Sequence, residues 1–407
     1  MKINKWTVGL VAVGIVSPST LLADEKVNLV HTALSSTTLS GYVDTSAQWN
    51  FGTGNANLPP YKFGGTTKAD GFNLNAVQIT LEKPVDEQLW AAGYRVDMWY
   101  GPDANTLATQ STRVGSDFAI RQAYINLQMP IGNGLTWKIG VFDSIIGYET
   151  VESGSNPNYT RSYGHTLEPQ THIGVLAKYK ISENFSAWLG VADTVNSAIN
   201  SRATSGALGN LLLGETTGSN AYSESYKAYM GSIQFIAPDS CGFISGSGFY
   251  AGIVNGYNNS VLGTGAGIPT MNIYVGATLN TPVSGLHAGV AWDRLDADTS
   301  VTVGGIKVNA DAWSLAGYLS YQLTEKLSTH VRLDYVTADA EKPASSVHNG
   351  IFATTATFQY DLWHNVLSRL EFRWDAADHG NLFGGATTGA PTRQNAFLLA
   401  ANIIYKF

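Results

Sequence analysis

Residues 366–375 read Val-Leu-Ser-Arg-Leu-Glu-Phe-Arg-Trp-Asp, so that Arg369, Glu371, Arg373 and Asp375 alternate with Leu370, Phe372 and Trp374. An extended strand points successive side chains to opposite faces, so this segment has one polar and one apolar face. A half-buried strand of a soluble sandwich would also alternate. Yet only 14% of this chain is charged, against about 25% in an ordinary soluble domain. Charge gathered at every second position of so charge-poor a chain suits a wall with water on one side and lipid on the other. The pattern recurs. In 327–335, Ser328, His330, Arg332 and Asp334 alternate with Leu327, Thr329, Val331, Leu333 and Tyr335. In 286–295, His287, Gly289, Ala291 and Asp293 alternate with Leu286, Ala288, Val290 and Trp292.

Composition excludes the alternatives. No run approaches the ~18 apolar residues of a spanning helix, and mean hydropathy is -0.04. With 43 Gly, 20 Tyr and 10 Trp, the chain has the makeup of an all-β membrane wall, and its aromatic content argues against disorder. A net charge of -7 argues against nucleic acid as a partner. The lone Cys241 supports neither an intramolecular disulfide nor a zinc cluster. No G-x-S-x-G, H-E-x-x-H or phosphate-cradling glycine loop stands in its required context, so neither catalytic residues, metal nor cofactor are expected.

The N-terminus reads as a secretory signal: Lys2 and Lys5, the apolar run Trp6–Val16, then Leu21-Leu22-Ala23 before Asp24. The expected division is a removed signal peptide at 1–23, a short periplasmic segment at 24–38 and one barrel domain at 39–407.

About sixteen alternating segments follow, near 39–50, 71–83, 89–100, 118–129, 135–143, 171–181, 185–194, 224–236, 247–256, 270–281, 286–295, 311–323, 327–338, 349–361, 366–376 and 394–407. Short turns such as 182–184, 282–285, 324–326 and 363–365 alternate with long loops at 51–70, 101–117, 144–170, 195–223, 257–269, 296–310, 339–348 and 377–393. The predicted fold is a transmembrane antiparallel β-barrel of about 16 strands, with short periplasmic turns and long external loops. Trp313 and Tyr321 are set for the two interfacial belts. Their eight-residue separation spans roughly 20 Å at about 3.3 Å per residue and ~40° tilt. Phe352 with Tyr360 and Phe397 with Tyr405 repeat it. Phe407 ends the last strand, as expected of a chain handed to the outer-membrane barrel assembly machinery through its C-terminal aromatic. Lipid on the outer face predicts that arginine impairs assembly at position 290 and is accommodated at position 291.

The stretch 147–174 carries Gly147, Glu149, Asn156-Pro157, Arg161-Ser162-Tyr163, Pro169, and His172 with Gly174. It resembles the OmpL-like β-barrel porin family, departing from it at Thr160 and Ile173. The resemblance implies an outer-membrane channel for passive diffusion of small hydrophilic solutes and ions in a Gram-negative-type bacterium. It also implies a homotrimer embedded in outer-membrane lipid and lipopolysaccharide. A substrate-selective channel and a structural or adhesin-type barrel are the alternatives.

Alternation assigns the pore lining: Arg95, Asp97, Lys138, His172, Lys178, His287, Asp293, His330, Arg332, Asp334, Arg369, Glu371, Arg373 and Asp375. A lumen of sixteen strands holds water, so these charges are expected to be hydrated. Arg332, Arg369 and Arg373 are expected on adjacent strands, as one pole of a transverse field or as a wall neutralised through Arg369–Glu371 and Arg373–Asp375. Loop 144–170 is rich in apolar residues for an exposed tip, with Ile145, Ile146, Tyr148, Val151, Tyr159 and Tyr163. It is expected to fold inward and place Glu149, Glu152 and Arg161 at a constriction, opposite the three arginines.

Overall fold

A computed structural model of the chain describes residues 36–52, 54–85, 90–109, 115–203, 225–259, 267–303, 306–342 and 345–407. The expected signal segment lies outside the described residues, as does most of 24–38.

The described residues form sixteen strands in one closed antiparallel barrel. They begin with β1 (Thr38–Phe51), β2 (Gly71–Lys83), β3 (Ala91–Tyr100), β4 (Phe118–Met129), β5 (Leu135–Asp143) and β6 (Thr171–Lys180). The next five are β7 (Phe185–Ala192), β8 (Ala228–Ile236), β9 (Gly248–Asn259), β10 (Gly267–Asn280) and β11 (Leu286–Val303). The barrel is completed by β12 (Ile306–Gln322), β13 (Leu327–Lys342), β14 (Ser345–Trp363), β15 (Val366–Ala377) and β16 (Asn395–Lys406). Each strand pairs with its neighbours in sequence, and β1 pairs with β16 from Tyr42↔Lys406 to Phe51↔Phe397. Closure satisfies every edge, which an open sheet in lipid could not do. Gly41 and Phe407 complete the seam by exchanging backbone hydrogen bonds of 2.9 and 3.0 Å.

The alternation resolves into two faces. On β15, Leu370 and Phe372 are exposed outward, whereas Arg369, Glu371, Arg373 and Asp375 are buried inward. Trp313, Tyr321, Phe352, Tyr360, Phe397 and Tyr405 are all exposed on the outside. Among the described residues the register shifts between Asp44 and Thr45 on the β1–β2 ladder and between Asp97 and Met98 on the β3–β4 ladder, and again near the strand ends between Thr299 and Val303 on β11–β12 and between Asp361 and Trp363 on β14–β15.

Among the described residues, strand takes the place of two expected long loops, 296–310 and 339–348. Pairing runs on past the lipid-facing alternation to Thr299↔Val308 on β11–β12 and to Lys342↔Ser345 on β13–β14. The sequence signal for a strand is the apolar face that lipid demands, and it stops at the membrane boundary. Backbone pairing does not depend on lipid and continues beyond it. Position 291 also departs from expectation. Ala291 points inward but is 1% exposed, packed in a cluster with Tyr274 and Tyr318, so there is no room for arginine.

Candidate pore constriction

Loop 144–170 leaves the end of β5 and returns to β6, its base closed by Ser144 N–H donating to the Gln170 carbonyl at 3.0 Å. Between those points it crosses the barrel interior. Ile145, Ile146 and Tyr148 pack against Trp188, Tyr250, Tyr274 and Tyr318 of the wall. Tyr148 stacks on Tyr318 with ring centroids 4.1 Å apart. The apolar residues that are out of place on an exposed tip are thus removed from water. A short helix, α1 (Tyr163–Leu167), is capped by Ser162, whose hydroxyl accepts from His165 N–H at 3.2 Å. Gly147 lies at φ +120°, and a Cβ there would run into the Glu168 carboxylate.

The loop is seated on the polar wall of β13–β15. Arg332 pairs with Thr355, and Thr355 with Arg373, so the two arginines share one row across β14. Arg332 and Arg373 therefore have β14 between them, and Arg369 shares β15 with Arg373, a correction to the adjacency expected from sequence. Arg332 donates to Glu149 at 2.9 Å, to the Thr160 carbonyl at 2.7 Å and to Asp334 at 2.9 Å. Arg373 pairs with Asp375 at 2.8 Å and donates to the Arg161 carbonyl at 2.7 Å. Arg369 turns to Asn402 and to the carbonyls of Ser153, Asn156 and Asn158. Glu371 accepts from the backbone N–H groups of Tyr159 and Thr160 at 2.6 and 2.9 Å.

These charges are not hydrated, contrary to the expectation. Arg332, Glu371 and Arg373 are 0% exposed, Asp334 and Asp375 1%, and Arg369 3%. Loop carbonyls and amides have taken the place of water, and each charge is hydrogen-bonded as burial requires, Arg369 and Glu371 by neutral groups alone.

The two glutamates face different walls. Glu149 meets Arg332. Glu152 meets Arg121 at 2.5 Å, has Arg95 at 3.9 Å, and accepts from Gln78 at 3.1 Å. Burial would raise the Glu152 carboxyl, but Arg121 and Arg95 overcome this and hold it at about 2. Arg121 also pairs with Asp143 and was not singled out from the sequence. The bulge explains the omission. Asp97 pairs with Gln122 and Met98 with Ile120, leaving Arg121 as the extra residue, and Arg121 and Gln122 both turn inward.

The other expected residues are distributed unevenly. Arg161 folds onto its own loop, donating to the carbonyls of Tyr159 and Val151 at 2.9 and 2.7 Å. Arg95 grips Asp97 at 3.0 Å, with Glu82 at 3.2 Å. Lys138 lies over the Tyr124 ring and Lys178 over the Trp188 ring, 4.6 and 5.2 Å from their centroids. His172 is wholly buried beside Phe142 and 3.2 Å from Ser144 Oγ. It packs the loop base rather than lining water, a further correction. Asp293 is 3% exposed beneath α1, where a Cβ on Gly164 would meet its carboxylate. Burial and the nearby Asp293 carboxylate push the Glu168 carboxyl well above the usual range.

A second segment, between β1 and β2, covers the first from above. Lys62 Nζ donates to the Glu168 carbonyl at 2.8 Å, and burial lowers this amine to about 8. The Arg373 guanidinium sits 4.0 Å from the Tyr61 ring centroid, and Phe63 meets Trp99 edge-on at 5.8 Å. The sequence signal was Tyr61-Lys62-Phe63, two aromatics in a loop, which alternation does not read. Beneath loop 144–170 a cavity of about 690 Å³ opens among the ends of β11–β16 and their short turns.

The family model described as "Putative beta-barrel porin-2, OmpL-like" matches residues 36–407. No curated protein matches the chain. Among solved structures, the outer membrane channel DcaP of Acinetobacter baumannii aligns with TM-score 0.56 and 13% identity, over 91% of this chain and 97% of that one. The anion-selective porin from Comamonas acidovorans aligns with TM-score 0.55 and 12% identity, over 91% and 99%. OmpF of Salmonella typhi, solved with daunomycin, gives 0.56 and 12%, over 93% and 100%. At these identities the likeness is one of fold. With the family model spanning all sixteen strands, the chain belongs to the OmpL-like β-barrel porin family and is an outer-membrane channel for passive diffusion.

Proposed function

We propose that the channel passes small hydrophilic solutes and ions through a lumen narrowed by loop 144–170, with Glu149, Glu152 and Arg161 in the narrow section. The observation that carries this reading is the double clamp, Glu149 on Arg332 and Glu152 on Arg121, at opposite sides of the lumen. A loop pinned at both sides holds a fixed cross-section. We propose further that the chain works as a homotrimer in lipid and lipopolysaccharide, entering the membrane after loss of residues 1–23 and with Phe407 as its assembly signal. OmpT of Vibrio cholerae, solved in a trimer form, shares the barrel at TM-score 0.54, which supports the trimeric arrangement. Planar-bilayer recording tests the constriction. Deleting 150–160 should raise single-channel conductance severalfold, and unchanged conductance overturns it.

A further inference from the structure

The cavity beneath loop 144–170 has a divided lining. Tyr250 of β9 and Tyr148 of the loop, both only partly buried, supply aromatic surface, and Trp188 of β7 and Tyr274 of β10 add the small parts of their rings that the loop leaves open. The strands β11–β14 supply neutral hydrogen-bonding groups. His330 sits 2.7 Å from Ser320 Oγ and 3.1 Å from Ser328 Oγ, and Gln359 and His287 complete that side. The arginines Arg332, Arg369 and Arg373 are sealed from this space by the loop backbone they hold. Of the charged groups that reach the cavity, Glu325, Lys326 and Asp361 stand at the short turns that form its mouth, whereas Lys406 extends to the underside of the loop and donates to the Gly154 carbonyl at 3.3 Å. At about 690 Å³, it has the volume typical of a small-molecule site.

We propose that this cavity is a binding site on the permeation route for uncharged, hydroxylated ring solutes, of mono- or disaccharide size. The inference rests on the channel reading above and adds the class of solute to it. A sugar ring has an apolar C–H face and an edge of hydroxyls. The aromatic side buries the first, and the serines, histidines and glutamine satisfy the second. An ionised solute seated against the aromatic rings and the His330 side would find no counter-ion among the residues lining those two sides, because the arginines are committed to the loop and the charged side chains that reach the cavity come from the short turns and from β16.

Maltose titrated against the full chain in a planar bilayer tests the proposal. Ion current without sugar reports the channel itself, and its absence would overturn the channel reading. With current flowing, maltose should reduce it saturably. Trp188→Ala and Tyr250→Ala should each raise the half-saturating concentration about tenfold, the scale of one lost ring contact. Trp188→Phe should retain most of the block, and heat-modifiability on gels verifies that each variant folds. Maltobionate, an anion of the same size, should produce little block. Current without maltose-dependent block, block of equal strength by maltobionate, or block indifferent to both alanine variants overturns the saccharide site while leaving the channel intact.

Discussion

Glu149 and Arg332 are 183 residues apart in sequence and meet at 2.9 Å, their side chains 1% and 0% exposed. Removing one member of such a pair leaves a buried charge without its partner, which costs about 3–5 kcal/mol. Arg332 also holds Asp334 and the Thr160 carbonyl, so Arg332→Gln should detach the loop from this wall. The expected outcome is a larger, noisier single-channel conductance. Arg332→Lys should recover it only in part, because an ammonium cannot reproduce the planar fork of donors.

The opposite clamp should depend on acid. Glu152 is held at about 2, below its ordinary 4.5. A depressed carboxyl contributes stability that is present above the unfolded value and lost as pH falls through the folded one. Conductance should therefore stay constant near neutral pH and become unsteady as pH falls from about 4.5 toward 2. Glu152→Gln should abolish that dependence. A wild-type channel steady throughout the window would contradict the clamp.

The strand register makes a third prediction. Val290 is 40% exposed on the lipid face of β11, while His287 of the same strand lines the cavity. Arginine facing lipid at the bilayer midplane costs about 2–4 kcal/mol. Val290→Arg should reduce folded barrel in the outer membrane, measured by heat-modifiability, and His287→Arg should not. Equal behaviour of the two would mean that the faces are misassigned.

The seam makes the fourth. Phe407 exchanges both backbone hydrogen bonds with Gly41, and a Cβ on Gly41 would meet the Phe407 ring at 2.8 Å. Deleting Phe407 should lower the yield of folded barrel, because β16 then ends short of its partner. A normal yield would show that the last pair is dispensable.

The sequence by itself determined the barrel. Lipid and water lie on opposite sides of a wall one residue thick, so each strand records its environment as alternation, a signal local enough to read segment by segment. It placed Leu370 outside and Arg369 inside, and set the aromatic belts and the number of strands. Tertiary structure decided what the inward residues touch. One extra residue in a ladder turned Arg121 inward against the period. The contacts of Arg332 and Arg369 with the loop join residues 172 to 216 positions apart, a separation at which no periodicity survives. Alternation distinguishes inside from outside, but an inward face meets either water or protein. Only the loop packed across the lumen settled which, burying Arg332 and Arg373 and leaving the aromatic and hydroxyl surfaces to line the open space.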